Sequence, residues 1–108
     1  MRRLPLLAAT LMLAACAKSP DSIAPAYVSG LQYQSLDCKQ LALEDDRVSQ
    51  ALVRASKQQE NARTNDTVGV LLIGLPVSSM SGDNIAPEIA RLKGEQDALR
   101  RQRLDKRC

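Results

Sequence analysis

Hydrophobic residues recur with helical spacing in two stretches of the chain, separated by steps of three and four residues. The first stripe consists of Cys38, Leu41, Val48, Leu52, Ala55 and Ala62, with Asp45 and Gln59 filling the same seam. The second consists of Ile85, Ile89, Leu92 and Leu99, with Gln96, Arg103 and Lys106 filling the same seam. Positions spaced in this way lie on one face of a helix. The pattern therefore predicts two amphipathic helices, over about 37–63 and about 84–107.

Local signals mark where these helices begin and end. With Asp37 as N-cap, Gln40 falls at N3 and completes a capping box, while Leu36 and Leu41 fall at the hydrophobic-staple positions. The polar cluster at 64–67 predicts the end of the first helix. The second helix is expected to start within 83–87, where Pro87 is tolerated because first-turn N–H groups lack intrahelical partners.

The two stripes match when the helices run antiparallel. The pairs are then Leu41 with Lys106, Val48 with Leu99, Ala55 with Leu92, and Ala62 with Ile85. The same register brings Cys38 opposite Cys108 within one residue, and an acidic helix start opposite a basic helix end, with Asp45 facing Arg103. We therefore predict an all-α fold over 36–108, an antiparallel two-helix hairpin resembling a coiled coil. The alternative is two ordinary amphipathic helices whose spacing matches by coincidence.

An uncharged segment, 68–80, forms the middle of the predicted connector, about 64–83. As a helix it would reach only ~20 Å, short of a bilayer's ~30 Å hydrocarbon core. Exposed apolar stretches mark membrane or protein contacts, so we expect such a contact here. The alternative is that the segment folds back over the alanine-rich stripe. The expected contact residues are Val70, Leu71, Leu72, Ile73 and Leu75.

The chain opens with a basic start and an uncharged run, Leu4 to Ala15, which has the layout of a secretory signal. The last three residues of this run and the residue after it, Leu13-Ala14-Ala15-Cys16, resemble the lipobox of bacterial lipoproteins. The resemblance implies cleavage between Ala15 and Cys16 and fatty acylation of Cys16 on its sulfur and amine. It makes 1–15 a signal peptide and places the protein on a membrane facing the periplasm. Ala17 favours the outer membrane, whereas Lys18-Ser19 resembles an inner-membrane retention pair.

Residues 16–35 contain Pro20, Pro25 and Gly30 and show no helical or strand period. We expect a flexible, lipidated tether that spaces the hairpin from the membrane. In the alternative, the apolar side chains of this segment pack back on the hairpin: Tyr27, Val28, Leu31 and Tyr33.

Composition narrows the chemistry. The chain has 15 Lys and Arg, 12 Asp and Glu, and no His, which excludes a histidine base and disfavours zinc. Removing Arg2 and Arg3 with the signal leaves a net charge of +1, from 13 basic and 12 acidic side chains. This charge gives no support for nucleic-acid binding. No spacing joins a nucleophile to a base, so we expect no catalytic residue, cofactor or metal.

Acylation of Cys16 would leave Cys38 and Cys108 as an even pair in an oxidising compartment, and we predict that they form a disulfide. The alternative is an intermolecular bond through Cys108. Length constrains the bridge, since an unbroken helix over 38–74 would be ~54 Å long against ~36 Å for 84–108. We therefore expect either a bend near 64–67 or no bridge.

From Tyr33 onward the chain resembles a set of small proteobacterial lipoproteins. The shared features are Cys-x-x-Leu at Cys38 to Leu41, the apolar middle, Leu-Lys-Gly-Glu at 92–95 and a final basic residue before Cys108. The resemblance carries no catalytic residues. We expect a non-enzymatic structural or interaction role in the envelope, with the membrane, an envelope protein or a second copy as partner. The alternative is a membrane-perturbing, lysis-type lipoprotein.

Overall fold

The structure, a computed structural model, describes residues 16–108. The predicted signal peptide and Ala15 lie outside the described residues. Two short 3₁₀ turns, Pro20–Ser22 and Gly30–Tyr33, precede three α-helices, which we name α1 (Cys38–Ile73), α2 (Val77–Ser81) and α3 (Ala86–Asp105). No β-strand occurs in this part of the chain. The all-helical prediction is confirmed, with two long helices that pack together.

Helix α1 begins where its capping signals predicted. The Gln40 backbone N–H donates to Asp37 Oδ1 at 2.8 Å, and the Asp37 N–H donates to Gln40 Oε1 at 3.0 Å. This reciprocal capping box satisfies two N–H groups that the helix itself leaves unpaired.

The prediction that this helix ends near Arg63 is wrong, because α1 continues to Ile73. Thr67 Oγ1 donates to the Arg63 carbonyl at 2.9 Å, and the Asp66 carboxylate accepts hydrogen bonds from Ala17 and Ser79. Neither polar side chain therefore competes for the backbone hydrogen bonds of the helix. The actual stop is Gly74, at φ 74°, whose N–H donates to the Val70 carbonyl at 3.0 Å. Glycine adopts this left-handed conformation at little cost.

Helices α1 and α3 run antiparallel, as contacts in reverse chain order show. Cys38 is bonded to Cys108, with their Cα atoms 5.6 Å apart. The Asp45 and Arg103 side chains pair at 3.3 Å, and Gln96 Nε2 donates to Ser49 Oγ at 3.1 Å. The predicted register and its ion pair are therefore present. The core between the helices is formed by Leu41, Val48, Ala55, Ile89, Leu92, Ala98 and Leu99.

The disulfide forms although α1 is 36 residues long and α3 only 20. After Gly74 the chain turns back, and α2 packs along the last turns of α1. The Ser79 N–H reaches Asp66 at 2.9 Å, and the Ile85 N–H reaches Gln59 Oε1 at 2.7 Å. We name residues 75–85 the return segment; it supplies the length that α3 lacks. We expected either a bend near 64–67 or no disulfide. Both expectations are wrong, because α1 is unbroken and the disulfide is present.

The predicted flexible tether is instead packed against the hairpin. We name residues 17–36 the strap. Ile23 and Tyr33 are buried in the core, while Tyr27 and Leu31 stay exposed, so the alternative of packing holds for only part of its residues. The Ala26 N–H donates to the Ala90 carbonyl at 2.8 Å. The strap therefore acts as a third layer of the fold rather than as a spacer.

Basic side chains of α3 hold the strap by its carbonyl oxygens. Lys93 Nζ donates to the carbonyls of Pro20 at 2.6 Å and Ile23 at 2.7 Å, and Arg101 Nη2 donates to that of Val28 at 2.9 Å. Lys106, predicted to lie in the seam, instead donates to strap carbonyls near its end. Apart from the Asp45–Arg103 pair, the ion pairs within 16–108 join residues three or four apart in one helix. The predicted charge matching between helices is thus limited to that pair.

Candidate functional site: an apolar tip beside Cys16

The end of the hairpin opposite the disulfide presents an exposed apolar surface, which we name the tip. Leu71 and Leu72 are 79% and 77% exposed, far more than core leucines such as Leu41. Val70, predicted as a contact residue, is only partly exposed. The alternative holds in part, because Val77 and Ser79 fold back on the buried face of α1 at Gly69 and Asp66, while most large side chains of the segment stay exposed. The tip consists of Val68, Leu71, Leu72, Ile73, Leu75, Val77 and Met80.

Close packing at Gly69 shapes the tip. A Cβ atom there would lie 2.4 Å from the Leu75 carbonyl oxygen and 2.7 Å from Val77 Cγ2, distances that real Cβ atoms do not tolerate. The return turn therefore rests directly on this face of α1 and covers it. The apolar side chains on the other faces of the same helical turns remain open to solvent.

A buried carboxylate, Asp66, lies just behind the tip. It is fully buried and accepts hydrogen bonds from the backbone N–H groups of Ala17 and Ser79, both at 2.9 Å, and from Ser79 Oγ. Burial raises the pKa of Asp66, but the hydrogen bonds from Ser79 and Ala17 outweigh it and hold the pKa below its ordinary value. Asp66 thus joins the strap, α1 and α2 at one point.

Gln59 extends this polar layer about two helical turns further from the tip. Its Nε2 donates to the Lys18 carbonyl and to Asn84 Oδ1, both at 2.9 Å, while its Oε1 accepts from Ile85. Asn84 Nδ2 in turn donates to Ser79 Oγ at 3.1 Å. Buried and fully bonded polar groups of this kind fix one arrangement of the segments that they join.

Sequence reasoning missed Asp66, although a signal for it was present. Gln59, Ala62, Asp66 and Gly69 continue the steps of three and four that define the α1 stripe, and all four are buried. We ended the stripe at Ala62 because the residues at 64–67 are typical of a helix stop. Following the spacing through that cluster would have placed Asp66 in the interior.

Cys16 lies near the tip end of the rod. Its neighbour Ala17 is hydrogen-bonded to Asp66, which precedes Ile73 by seven residues, or ~10 Å along a helix. The disulfide end is much farther, because Asp66 follows Cys38 by 28 residues, ~42 Å. The predicted disulfide pair and the predicted lipid site thus occupy opposite parts of the molecule.

No group of three or more His, Cys, Asp or Glu residues within 16–108 is placed to hold a metal ion. Within the same residues, no helix combines the length and the apolar character needed to cross a membrane.

Comparison of the chain with protein-family models, with curated proteins and with solved structures finds no match.

Proposed function

We propose that this protein is a bacterial envelope lipoprotein with a non-enzymatic structural or interaction role. Acylated Cys16 anchors it to a membrane, and the apolar tip contacts that membrane or an envelope protein. The disulfide-closed hairpin is the rigid element that holds the tip in position. The expected partners are the membrane itself, a protein of the envelope or a second copy of the chain.

One observation carries the proposal: seven large apolar side chains are exposed at one end of a rod 61 Å long. Apolar side chains scattered singly over a surface need no explanation, but a contiguous group marks a place where lipid or protein binds. The lipobox-like Leu13 to Cys16 supports the anchor, because it lies at the end of the uncharged run that begins at Leu4.

The anchor is tested by intact mass of protein extracted from membranes, with and without reductant. We expect a chain that begins at Cys16, carries fatty acids and gains two hydrogens when the disulfide is reduced. An uncleaved precursor without fatty acid would contradict the anchor.

The tip is tested by a photo-crosslinking residue at Leu72 in living cells. The matched control position is Leu104, which is 73% exposed and lies near the disulfide end. We expect adducts to lipid or to one protein at position 72 and none at position 104. Absence of both adducts at position 72 would contradict the role of the tip. Leakage of the envelope on overproduction, abolished by Leu72→Asp, would instead indicate the membrane-perturbing alternative.

A further inference from the structure

We propose that the tip inserts into the same leaflet that holds the acyl chains of Cys16, so that the rod stands on the membrane with its disulfide end outward. Asp66 is the positioning residue that sets the anchor and the tip side by side. This inference rests on the proposed acylation of Cys16, and it selects the membrane over a protein as what the tip binds.

The short distance between anchor and tip determines which end of the rod faces the membrane. A tether of 20 residues could have placed the hairpin tens of ångströms from the bilayer, in any orientation. Instead, the residue next to Cys16 is bound to Asp66, and the strap then runs along α3 toward the disulfide end. Acyl chains on Cys16 would therefore hold the tip end, and not the disulfide end, against the membrane.

The length of the uncharged segment matches the depth of an interfacial insertion. From Thr67 to Gly82 the chain carries no charged residue, and Asp66 on one side of this segment is buried. The helical part of the tip extends ~10 Å beyond Asp66, which is close to the ~5–10 Å that amphipathic segments penetrate at an interface. Asp83 and Arg63, both exposed, would lie near the level of the lipid headgroups.

The position of the tip close to the anchor also limits what the tip can contact. If the sulfur of Cys16 lies at the membrane surface, a tip only ~10 Å away along the rod has little room for a protein that stands off that membrane. The same geometry places these side chains in contact with acyl chains when the rod is upright. The membrane is therefore the occupant that best fits both the position and the composition of the tip.

Asp66 is well suited to maintain this geometry. Its carboxylate accepts from the backbone N–H of Ala17, beside the anchor, and from that of Ser79, in the return segment behind the tip. One fully buried group thus ties both segments to α1. Without it, the first residues of the strap could detach, and the acyl chains would no longer dictate where the tip lies.

The experiment uses tryptophan fluorescence, because the chain contains no Trp. The acylated protein is purified from cells that express the full chain and is reconstituted into phosphatidylethanolamine–phosphatidylglycerol vesicles. Leu72→Trp probes the tip, and Leu104→Trp is the matched control at the other end. We expect blue-shifted emission and quenching by lipids brominated on the acyl chains for Leu72→Trp, and neither effect for Leu104→Trp.

A Leu72→Trp signal as water-exposed as that of Leu104→Trp, in protein whose mass shows acylation, would overturn the inference while leaving the anchor intact. A single protein captured by the cross-linking residue at position 72 in living cells, with no lipid adduct, would likewise overturn the inference in favour of a protein partner. Protein that lacks acylation and stays off the vesicles would instead mean that the proposed anchor has failed.

The positioning role of Asp66 is tested by adding Asp66→Asn to the Leu72→Trp protein. We expect at least a twofold loss of quenching, while the acyl chains keep the protein on the vesicles. Unchanged quenching would overturn the role of Asp66. If circular dichroism shows that this variant does not fold, a six-residue Gly-Ser insertion between Cys16 and Ala17 separates anchor from tip without altering the carboxylate, and the same loss is expected.

Discussion

At the scale of single residues, the tip end is held by buried side chains that form hydrogen bonds with backbone groups of other segments. Asp66 binds two backbone N–H groups from segments distant in sequence, and Gln59 binds the Lys18 carbonyl and the Ile85 N–H. Neither the strap nor the return segment forms regular pairing along its whole length, so these buried side chains satisfy groups that would otherwise lack partners. The arrangement therefore depends on few residues.

Replacing Asp66 by Asn should lower the free energy of unfolding by ~1–3 kcal/mol at neutral pH, because it leaves buried donors poorly satisfied. The measurement is denaturant unfolding. Asp46→Asn is the matched control, since Asp46 is exposed and accepts only from Gln50 among the hydrogen bonds seen here. Equal effects of the two substitutions would contradict the central role of Asp66.

The same residue predicts a pH dependence. The pKa of Asp66 is lower in the folded protein than in the unfolded chain, so its ionised form stabilises the fold at pH values above the unfolded pKa of ~3.9. This contribution is lost as the pH falls through the lowered folded pKa. Unfolding measured at neutral pH and in steps below pH ~4 should therefore show a smaller acid-induced loss in Asp66→Asn than in the unsubstituted protein.

At the scale of elements, the strap and α3 meet at a glycine. A Cβ on Gly94 would lie 2.0 Å from the Ala26 carbonyl oxygen and 2.8 Å from Val28 Cγ2. Alanine favours a helix over glycine by ~1 kcal/mol, yet here the clash is with backbone that cannot easily move. The absence of a side chain at this position is what allows the strap to lie on the helix.

Gly94→Ala should therefore lower stability by ~1–3 kcal/mol, as overpacking does, and should increase hydrogen exchange at the Ala26 amide. Gly30→Ala is the control, because its Cβ would meet only the flexible end of the Gln102 side chain. Thermal unfolding and exchange rates of both variants test the difference. A stabilising effect of Gly94→Ala would show that the strap does not pack here.

The elements also show how far sequence reasoning reaches. The start of α1, the antiparallel register and the disulfide follow from local caps and from spacing, and these were predictable. The end of α1 was not, because 64–67 resembles a helix stop unless the partners of Asp66 are known. Packing of the strap was only the alternative expectation, for a related reason: side chains of α3 hold its carbonyl oxygens, and such contacts leave no hydrophobic period in the sequence.

The apolar segment of the candidate site could be predicted from the sequence, whereas its position beside Cys16 could not. An uncharged segment between two polar helices is visible in composition alone, and the structure leaves most of its large side chains exposed. The position of Cys16 beside the tip depends on a hydrogen bond between residues 49 apart in sequence, Ala17 and Asp66. No local pattern could indicate that contact.

At the scale of the whole molecule, the two ends of the rod differ in how they are held. Polar contacts around Asp66 close the tip end, whereas the Cys38–Cys108 bond closes the other across a separation of 70 residues. The cross-link lowers the conformational entropy of the unfolded chain. For a loop of this size, this stabilises the folded state by ~4 kcal/mol. For a domain this small, that corresponds to roughly 15–30 °C in melting temperature.

Reduction should therefore lower the melting temperature by about this amount, and Cys108→Ser should melt like the reduced protein. Adding reductant to Cys108→Ser serves as the control and should change nothing further. Below its new melting temperature, Cys108→Ser should keep the tip intact, because the bond lies ~42 Å from Asp66 along α1. A melting temperature that reduction leaves unchanged would mean that the helix pair holds without its covalent closure, and that the apolar seam alone sets the register.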